Sequence, residues 1–346
     1  MNHNKNLPTP ENIMKIGSGF WASKILLTAI DFELFTRLAK GKSSGKELKK
    51  TLGLNCSDRH FYDFMDSLTS FGFLEREGIL ETAIYSNTPD TDMFLDKNKL
   101  QYIGGILEMY NQRLYMHWHN LGEGLKTGQL QNEAKNNGES LFDTLYKSPD
   151  LLRNFVNAMS SIQVGNFIKL SQEFDFSNYN TLLDVGGSAG IMSAMIAKKH
   201  NHMNCISFDL PAVESIAQET IKKHELETRV KAVSGDFFTD TFPKADVVTM
   251  GNILHDWNEE TKLMLMQKAY DALPIGGAFI AVENIIDNER KSNSFGLMMS
   301  LNMLIETGEG FDYTFNDFNS WAKKIGFKTI QSIPLNGPTS AAIAYK

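Results

Sequence analysis

The stretch GNILHDWNEE places His255 next to Asp256 and Trp257. A histidine changes charge near neutral pH and can take a proton from a hydroxyl. The bland alternative is a helix-entry histidine bonded to backbone. Glu283 ends a later apolar run. A carboxylate there could hold the imidazole in one tautomer and steady its charged form. No serine or cysteine nucleophile motif accompanies the pair, and no clustered His/Asp/Glu spacing suggests a metal ligand set. Three more acids, Asp184, Asp209 and Asp236, each close a short apolar run. Asp209 could accept both hydroxyls of a ribose. Asp236, with Phe237 beside it, suits the amine and the ring face of an adenine. Each acid alone could be a helix cap, but three at successive strand ends point to a nucleotide-like ligand.

The element that must position these acids is TLLDVGGSAG, Thr181 to Gly190. Leu182, Leu183 and Val185 read as a buried strand, and Gly186, Gly187 and Gly190 as a tight turn into a helix over Ile191 to Lys199. Glycines let a ligand approach the backbone, and a helix N-terminus offers unpaired N–H groups and partial positive charge. The spacing is not G-x-G-x-x-G, since Ser188 and Ile191 occupy the third and sixth positions, and no Walker A lysine follows.

From about residue 178 strands and helices alternate, as in parallel-sheet α/β folds. Strands are expected at Leu182–Val185, Asn204–Phe208, Val230–Val233, Val247–Met250, Ala278–Val282, Phe327–Ile333 and Ala341–Tyr345, the last two forming a hairpin. The fold class is therefore α/β: a doubly wound, seven-stranded Rossmann-like domain preceded by an all-α, winged-helix-like one. Ligands bind such sheets at the C-terminal strand ends.

Upstream, Ile13 to Leu38 reads as one helix, apolar all round, that would bury itself in a core or against a second chain. A capping box at Ser44 and Glu47, a helix from Asp58 to Phe71 and a hairpin turning at Gly78 give a winged-helix outline. DNA binding is disfavoured because Asp58, Asp63 and Asp66 outnumber Arg59 on the would-be recognition helix. Residues 92–176 read as helices dense in Met and aromatics, among them Tyr110, Tyr115 and Trp118. These would pack a core or line a pocket for a planar aromatic ligand. His117 and His119 read as ordinary polar residues. The expected divisions are 1–100 for dimerisation, 101–176 as a helical connector to the substrate pocket, and 177–346 for catalysis.

At 346 residues two units are expected. The net charge of −7 argues against nucleic acid or an anionic membrane surface as partner. Cys56 and Cys205 are too few for a disulfide framework. Residues 1–12 read as loose, without a signal pattern. No apolar run approaches the roughly 18 residues of a membrane span, and a reducing cytoplasm fits these features.

DVGGSAG, FDLPAV, SGDFF, ILHDW and the trailing VEN together resemble the motifs of class I S-adenosylmethionine-dependent O-methyltransferases of the caffeic acid and acetylserotonin type, with bacterial natural-product relatives. The resemblance spans essentially the whole chain. It implies S-adenosyl-L-methionine as methyl donor, S-adenosyl-L-homocysteine as product, no metal, a homodimer and a small aromatic hydroxyl substrate. It carries the cofactor turn to Gly186 and Gly190, ribose and adenine contacts to Asp209 and Leu210, adenine contacts to Asp236 and Phe237, and the base to His255. It places acceptor contacts on a helix over Phe295 to Thr307. Acceptor-facing candidates are Phe155, Met159, Asp256, Met298, Met299, Asn302 and Met303. There are departures. Gly251 and Asn252 stand where plant members carry lysine and tryptophan, so a cofactor contact at Asn252 is lost or remade. Asp312 replaces the usual second orienting glutamate, and Ser188 stands where glycine is common. Relatives that use the bound sulfonium for decarboxylation, hydroxylation or rearrangement, and a winged-helix ligand-sensing regulator, are the competing readings. An intact His255 favours the methyltransferase.

Overall fold

The computed structural model describes residues 8–99, 101–136, 146 and 148–346. Most of the stretch expected to be loose, positions 1–7, lies outside them. Packing divides the chain into two compact units, Met1–Leu114 and Tyr115–Lys346.

In the first unit the run from Ile13 to Leu38 is three helices, Glu11–Gly17, Gly19–Asp31 and Leu34–Leu38, and not the single helix expected. Glu33 takes a left-handed φ of 54°, which breaks the helical path before Leu34. Ile30, Leu34, Phe35 and Leu38 enter the core with Phe61, Met65 and Leu68 of helix Asp58–Ser70, whereas Ile13, Ile16, Phe20 and Trp21 remain exposed. Glu11–Asp31 is also long and apolar enough to cross a membrane by length and composition. That corrects the expectation that no such run exists. Strands β1 (Ser43–Ser44), β2 (Leu74–Glu77) and β3 (Ile84–Asn87) form an antiparallel sheet in the order β1-β3-β2. Gly78, at φ 76°, makes the turn of the β2–β3 hairpin.

The second unit is built on seven strands: β4 (Thr181–Val185), β5 (Asn204–Asp209), β6 (Val230–Ser234), β7 (Val247–Gly251), β8 (Ala278–Glu283), β9 (Thr329–Pro334) and β10 (Ser340–Tyr345), in the order β6-β5-β4-β7-β8-β10-β9. The first five are parallel. Strand β10 is not at the edge: it inserts between β8 and β9, antiparallel to both. The central strands are covered on both faces, which is why β8 is buried at every position and reads as a continuous apolar run. Leu183, Val185, Met250, Phe279 and Ala281 pack towards helices Glu259–Ala272 and Phe315–Ile325. Leu182, Ile280 and Val282, on the other face, pack towards helices Pro149–Glu173 and Ile191–Lys199. Cys205 is buried in β5, where its thiol is pushed up to about 12 by burial, consistent with a small core residue.

Phe279 is fully buried, with its ring stacked 6.1 Å from Phe318 and 6.2 Å from Phe327. Truncating it leaves a cavity these rings cannot close. Phe279→Ala is therefore expected to lower stability by about 3–5 kcal/mol. Denaturant unfolding checks this, and a loss below about 1 kcal/mol would contradict the packing described.

Candidate active site

Because β4 to β8 run parallel, their C-terminal ends lie along one edge of the sheet. The glycine turn, Asp209, Asp236, Asn252 with His255, and Glu283 all follow from that edge. The turn after β4 is tightly fixed. Gly186 and Gly190 have φ of 69° and 72°, and Ser188 has φ of 49°, a conformation a side chain rarely adopts. The Gly186 N–H donates to the Phe208 carbonyl at 2.9 Å. A Cβ on Gly186 would meet Ile253 Cδ1 at 2.2 Å, and one on Gly187 would meet Ser207 Oγ at 2.2 Å. Gly186 is favoured by its left-handed φ, and a side chain at either position would displace Ile253 or Ser207. Gly190 opens helix Ile191–Lys199.

Asp209 bridges the turn to its own strand end. One oxygen accepts the Ser188 N–H at 2.8 Å and the other the Leu210 N–H at 2.7 Å, while burial raises its pKa. Asp184 lies under the turn. Its Oδ1 accepts from Thr249 Oγ1 at 2.9 Å, and its buried Oδ2 has no hydrogen-bond partner among the described residues. Burial pushes the Asp184 carboxyl up to about 7. Asp236 Oδ1 accepts the Phe238 N–H at 2.8 Å, and Phe237 packs edge-on to Trp257, with ring centres 5.9 Å apart. A left-handed glycine cradle, an orphaned buried carboxylate oxygen and a row of acids at the strand ends suit a nucleoside carrying a cationic tail.

His255 sits in a short 3-10 turn, Leu254–Asp256, and is 5% exposed. Its Nδ1 lies 3.7 Å from Glu283 Oε2 and 3.5 Å from Asp312 Oδ1, and its Nε2 lies 3.5 Å from Asp256 Oδ1. The second oxygen of Glu283 accepts the Leu254 N–H at 3.0 Å, which ties the turn to the end of β8. Burial opposes an imidazolium, but Glu283, Asp256 and Asp312 outweigh it and push His255 up to about 10. Burial also raises Glu283 to about 7 and Asp256 to about 6. His255, Glu283 and Asp312 present ligand atoms within 4.8 Å of one another. Both acids address the same ring nitrogen. The arrangement is that of an oriented, charge-stabilised imidazole.

Asn252 has left-handed φ of 55°, and its Oδ1 accepts from Gln163 Nε2 at 2.9 Å. The chain of side chains continues through Asn166 (3.0 Å), Thr339 (3.3 Å) and Asn284 (3.1 Å), the residue after Glu283. Of the acceptor-facing candidates, Phe155 packs beside Ala189 and Val213, near the glycine turn. Met159 and Met299 are half-buried and Met303 is buried, whereas Met298 is half exposed. The Asn302 Oδ1 accepts from Trp118 Nε1 at 2.8 Å, and its NH2 group donates to Met299 Sδ at 3.9 Å. His117 lies 2.9 Å from Glu133.

Sequence reasoning missed three residues here. Gln163 holds Asn252. Tyr146 packs with Phe155 and Ala189 and is electrostatically coupled to Asp209 and Asp256. Lys262 is fully buried behind the acids. None carries a local signal, because each is an isolated polar residue that only tertiary packing brings to the site.

A model of the O-methyltransferase domain matches residues 118–328, and one of the O-methyltransferase dimerisation domain matches residues 14–97. The tetracenomycin polyketide synthesis 8-O-methyl transferase TcmO of Streptomyces glaucescens is 34% identical, with 97% of each chain covered. The 3-hydroxy-5-methyl-1-naphthoate 3-O-methyltransferase of Streptomyces sahachiroi is 26% identical over 95% of this chain and 92% of its own. The crystal structure of human N-acetylserotonin methyltransferase in complex with SAM superposes with a TM-score of 0.89 at 24% identity, covering 100% of this chain and 99% of that one. The chain belongs to the S-adenosylmethionine-dependent O-methyltransferase family.

Proposed function

We propose that the protein methylates a phenolic hydroxyl of a small aromatic metabolite, with His255 as general base. The observation that carries this is the buried imidazole with Nδ1 turned to Glu283 and Asp312. That arrangement leaves Nε2 to take the proton. The bound cofactor supplies a methyl group already activated on a sulfonium, so the protein has mainly to align an oxygen and remove its proton. Transfer of that methyl group would release the hydroxyl proton, which His255 Nε2 is placed to take up. Glu283 and Asp312 steady the imidazolium. A base pushed up to about 10 matches a phenol, with its ordinary pKa of about 10. The match to an alkanol or water, near 16, is poor. The naphthoate relative supports an aromatic acceptor.

The cofactor would be held by Gly186, Gly187 and Gly190, by Asp209 and Leu210 at the ribose and adenine, and by Asp236 and Phe237 at the adenine. Asp184 lies beneath the turn, and Asn252 stands where the lysine–tryptophan pair is missing. The acceptor would meet Phe155, Met159, Asp256, Met298, Met299, Asn302 and Met303. The chain would act as a cytoplasmic homodimer, with residues 1–100 as a winged-helix-like assembly module, 101–176 as connector and 177–346 as the catalytic part. The matched dimerisation domain and the exposed Ile13, Ile16, Phe20 and Trp21 support the dimer. Incubation with methyl-labelled cofactor and a panel of hydroxynaphthoates, alkanols and aryl amines tests the reading. Label is expected on phenolic oxygen. Transfer only to amines, or to none of the panel, would overturn it.

A further inference from the structure

We propose that Nδ1 of His255, Oε2 of Glu283 and Oδ1 of Asp312 form an inhibitory site for a zinc-like divalent cation, which on binding locks His255 in the tautomer that cannot act as a base. The effect on activity rests on His255 being the base, whereas the binding does not. The ion is an inhibitor and has no part in the reaction.

The three side chains come from separate elements. His255 belongs to the turn after β7, Glu283 is the last residue of β8, and Asp312 precedes helix Phe315–Ile325. Backbone contacts fix each of them. The Leu254 N–H occupies Oε1 of Glu283, and Oε2 is the oxygen nearer the imidazole. The Asp312 N–H donates to Ser300 Oγ at 3.2 Å, and the Ile286 N–H donates to the Tyr313 carbonyl at 2.9 Å. The Asp312 segment is thereby pinned beside the chain that continues from β8.

A second observation points to a ligand. Nδ1 of His255, Oε2 of Glu283 and both carboxylate oxygens of Asp312 are buried and have no hydrogen-bond partner among the described residues. Nδ1 lies 3.7 Å from Oε2 of Glu283 and 3.5 Å from Oδ1 of Asp312. Both separations exceed the roughly 2.7–3.2 Å of an N–H···O bond. Two ligands each about 2.0–2.2 Å from one zinc ion stand about 3–4 Å apart, depending on the angle between them. All three ligand atoms lie within 4.8 Å of one another. Buried polar atoms left bare are costly, and a cation between them satisfies all three. Two carboxylates beside a neutral ring also match a divalent charge.

The donor set selects the ion. An imidazole nitrogen with carboxylate oxygens suits zinc and its transition-metal neighbours, whereas magnesium and calcium take oxygen ligands. Coordination uses the Nδ1 lone pair and sends the Nδ1 proton to solvent. A neutral ring then carries its hydrogen on Nε2, the nitrogen that must accept the hydroxyl proton. The glycine turn and Asp209 supply no ligand to this site, so cofactor binding should persist with the ion in place.

The test uses the full-length protein, stripped of metal with EDTA and titrated calorimetrically with zinc chloride or magnesium chloride. Wild type is expected to bind a zinc equivalent that His255→Gln and Asp312→Asn lose or weaken at least about tenfold. The asparagine is isosteric with aspartate and serves if the glutamine variant does not fold. Zinc should inhibit methyl transfer from S-adenosylmethionine to a phenol over the same concentration range, and EDTA should restore it. Cofactor affinity should change by less than about twofold. Zinc stoichiometry and affinity equal in wild type and both variants would overturn the site, and magnesium binding as tightly as zinc would overturn the assignment of the ion. A zinc equivalent lost in the variants but harmless to wild-type turnover would support the site and overturn His255 as base.

Discussion

His255→Gln is expected to lower kcat for a phenolic acceptor by about 10²–10⁴-fold, the range general-base catalysis contributes. Glutamine keeps a polar group among Glu283, Asp312 and Asp256 but cannot accept the hydroxyl proton. Cofactor affinity should stay within about twofold, because no described hydrogen bond joins His255 to the glycine turn or Asp209. The direction with pH follows from the protonation state a base requires. Only neutral His255 can act, and its acids hold the proton on to about 10, so kcat/KM of the wild type should rise with pH. The midpoint should lie well above the value near 6.5 of an ordinary histidine. Steady-state rates with the variant's fold checked by circular dichroism decide the matter. Loss of affinity with kcat preserved would move His255 from the chemistry to binding.

The second large effect concerns Asp209. Asp209→Ala is expected to weaken S-adenosylmethionine binding at least about tenfold, equivalent to about 1.4 kcal/mol. The loss has two parts. The carboxylate organises the turn by accepting the Ser188 and Leu210 N–H groups, and in our reading it also accepts the ribose hydroxyls. Hydrogen bonds to a charged group contribute about 1.5–3 kcal/mol each, so the expected tenfold is a lower bound. Asp209→Asn keeps one acceptor oxygen and should fall between wild type and alanine. Isothermal titration reads all three, and an unchanged Kd in Asp209→Ala would remove Asp209 from the cofactor site.

The strands of the second unit were legible because central parallel strands are continuous apolar runs. All seven expected strands are present, with ends shifted by one or two residues. The acids were legible for the same reason, since each closes such a run. Strand order was not. The last two strands look alike in sequence, and only tertiary pairing places β10 inside β9. The Ile13–Leu38 run misled because its apolar residues continue past Ser18 and Glu33, where the backbone leaves the helix. The Thr249 partner of Asp184, beneath the turn, has no signal in the sequence, because only the pairing of β4 with β7 brings the two together. Lys262 illustrates the limit most clearly. In sequence it is a polar residue in a helical first turn, and its meaning comes from Phe311, Tyr313 and the Trp257 carbonyl, which only the fold assembles.

The most direct test of His255 as base is the single-turnover rate of methyl transfer to a phenol as a function of pH, measured side by side for wild type and His255→Gln. The wild-type rate should climb with pH as His255 loses its proton. The variant should run at least about a hundredfold slower at every pH below the range near 10 where the phenol itself ionises. A variant that keeps the wild-type limb and rate would contradict the account and require another proton acceptor.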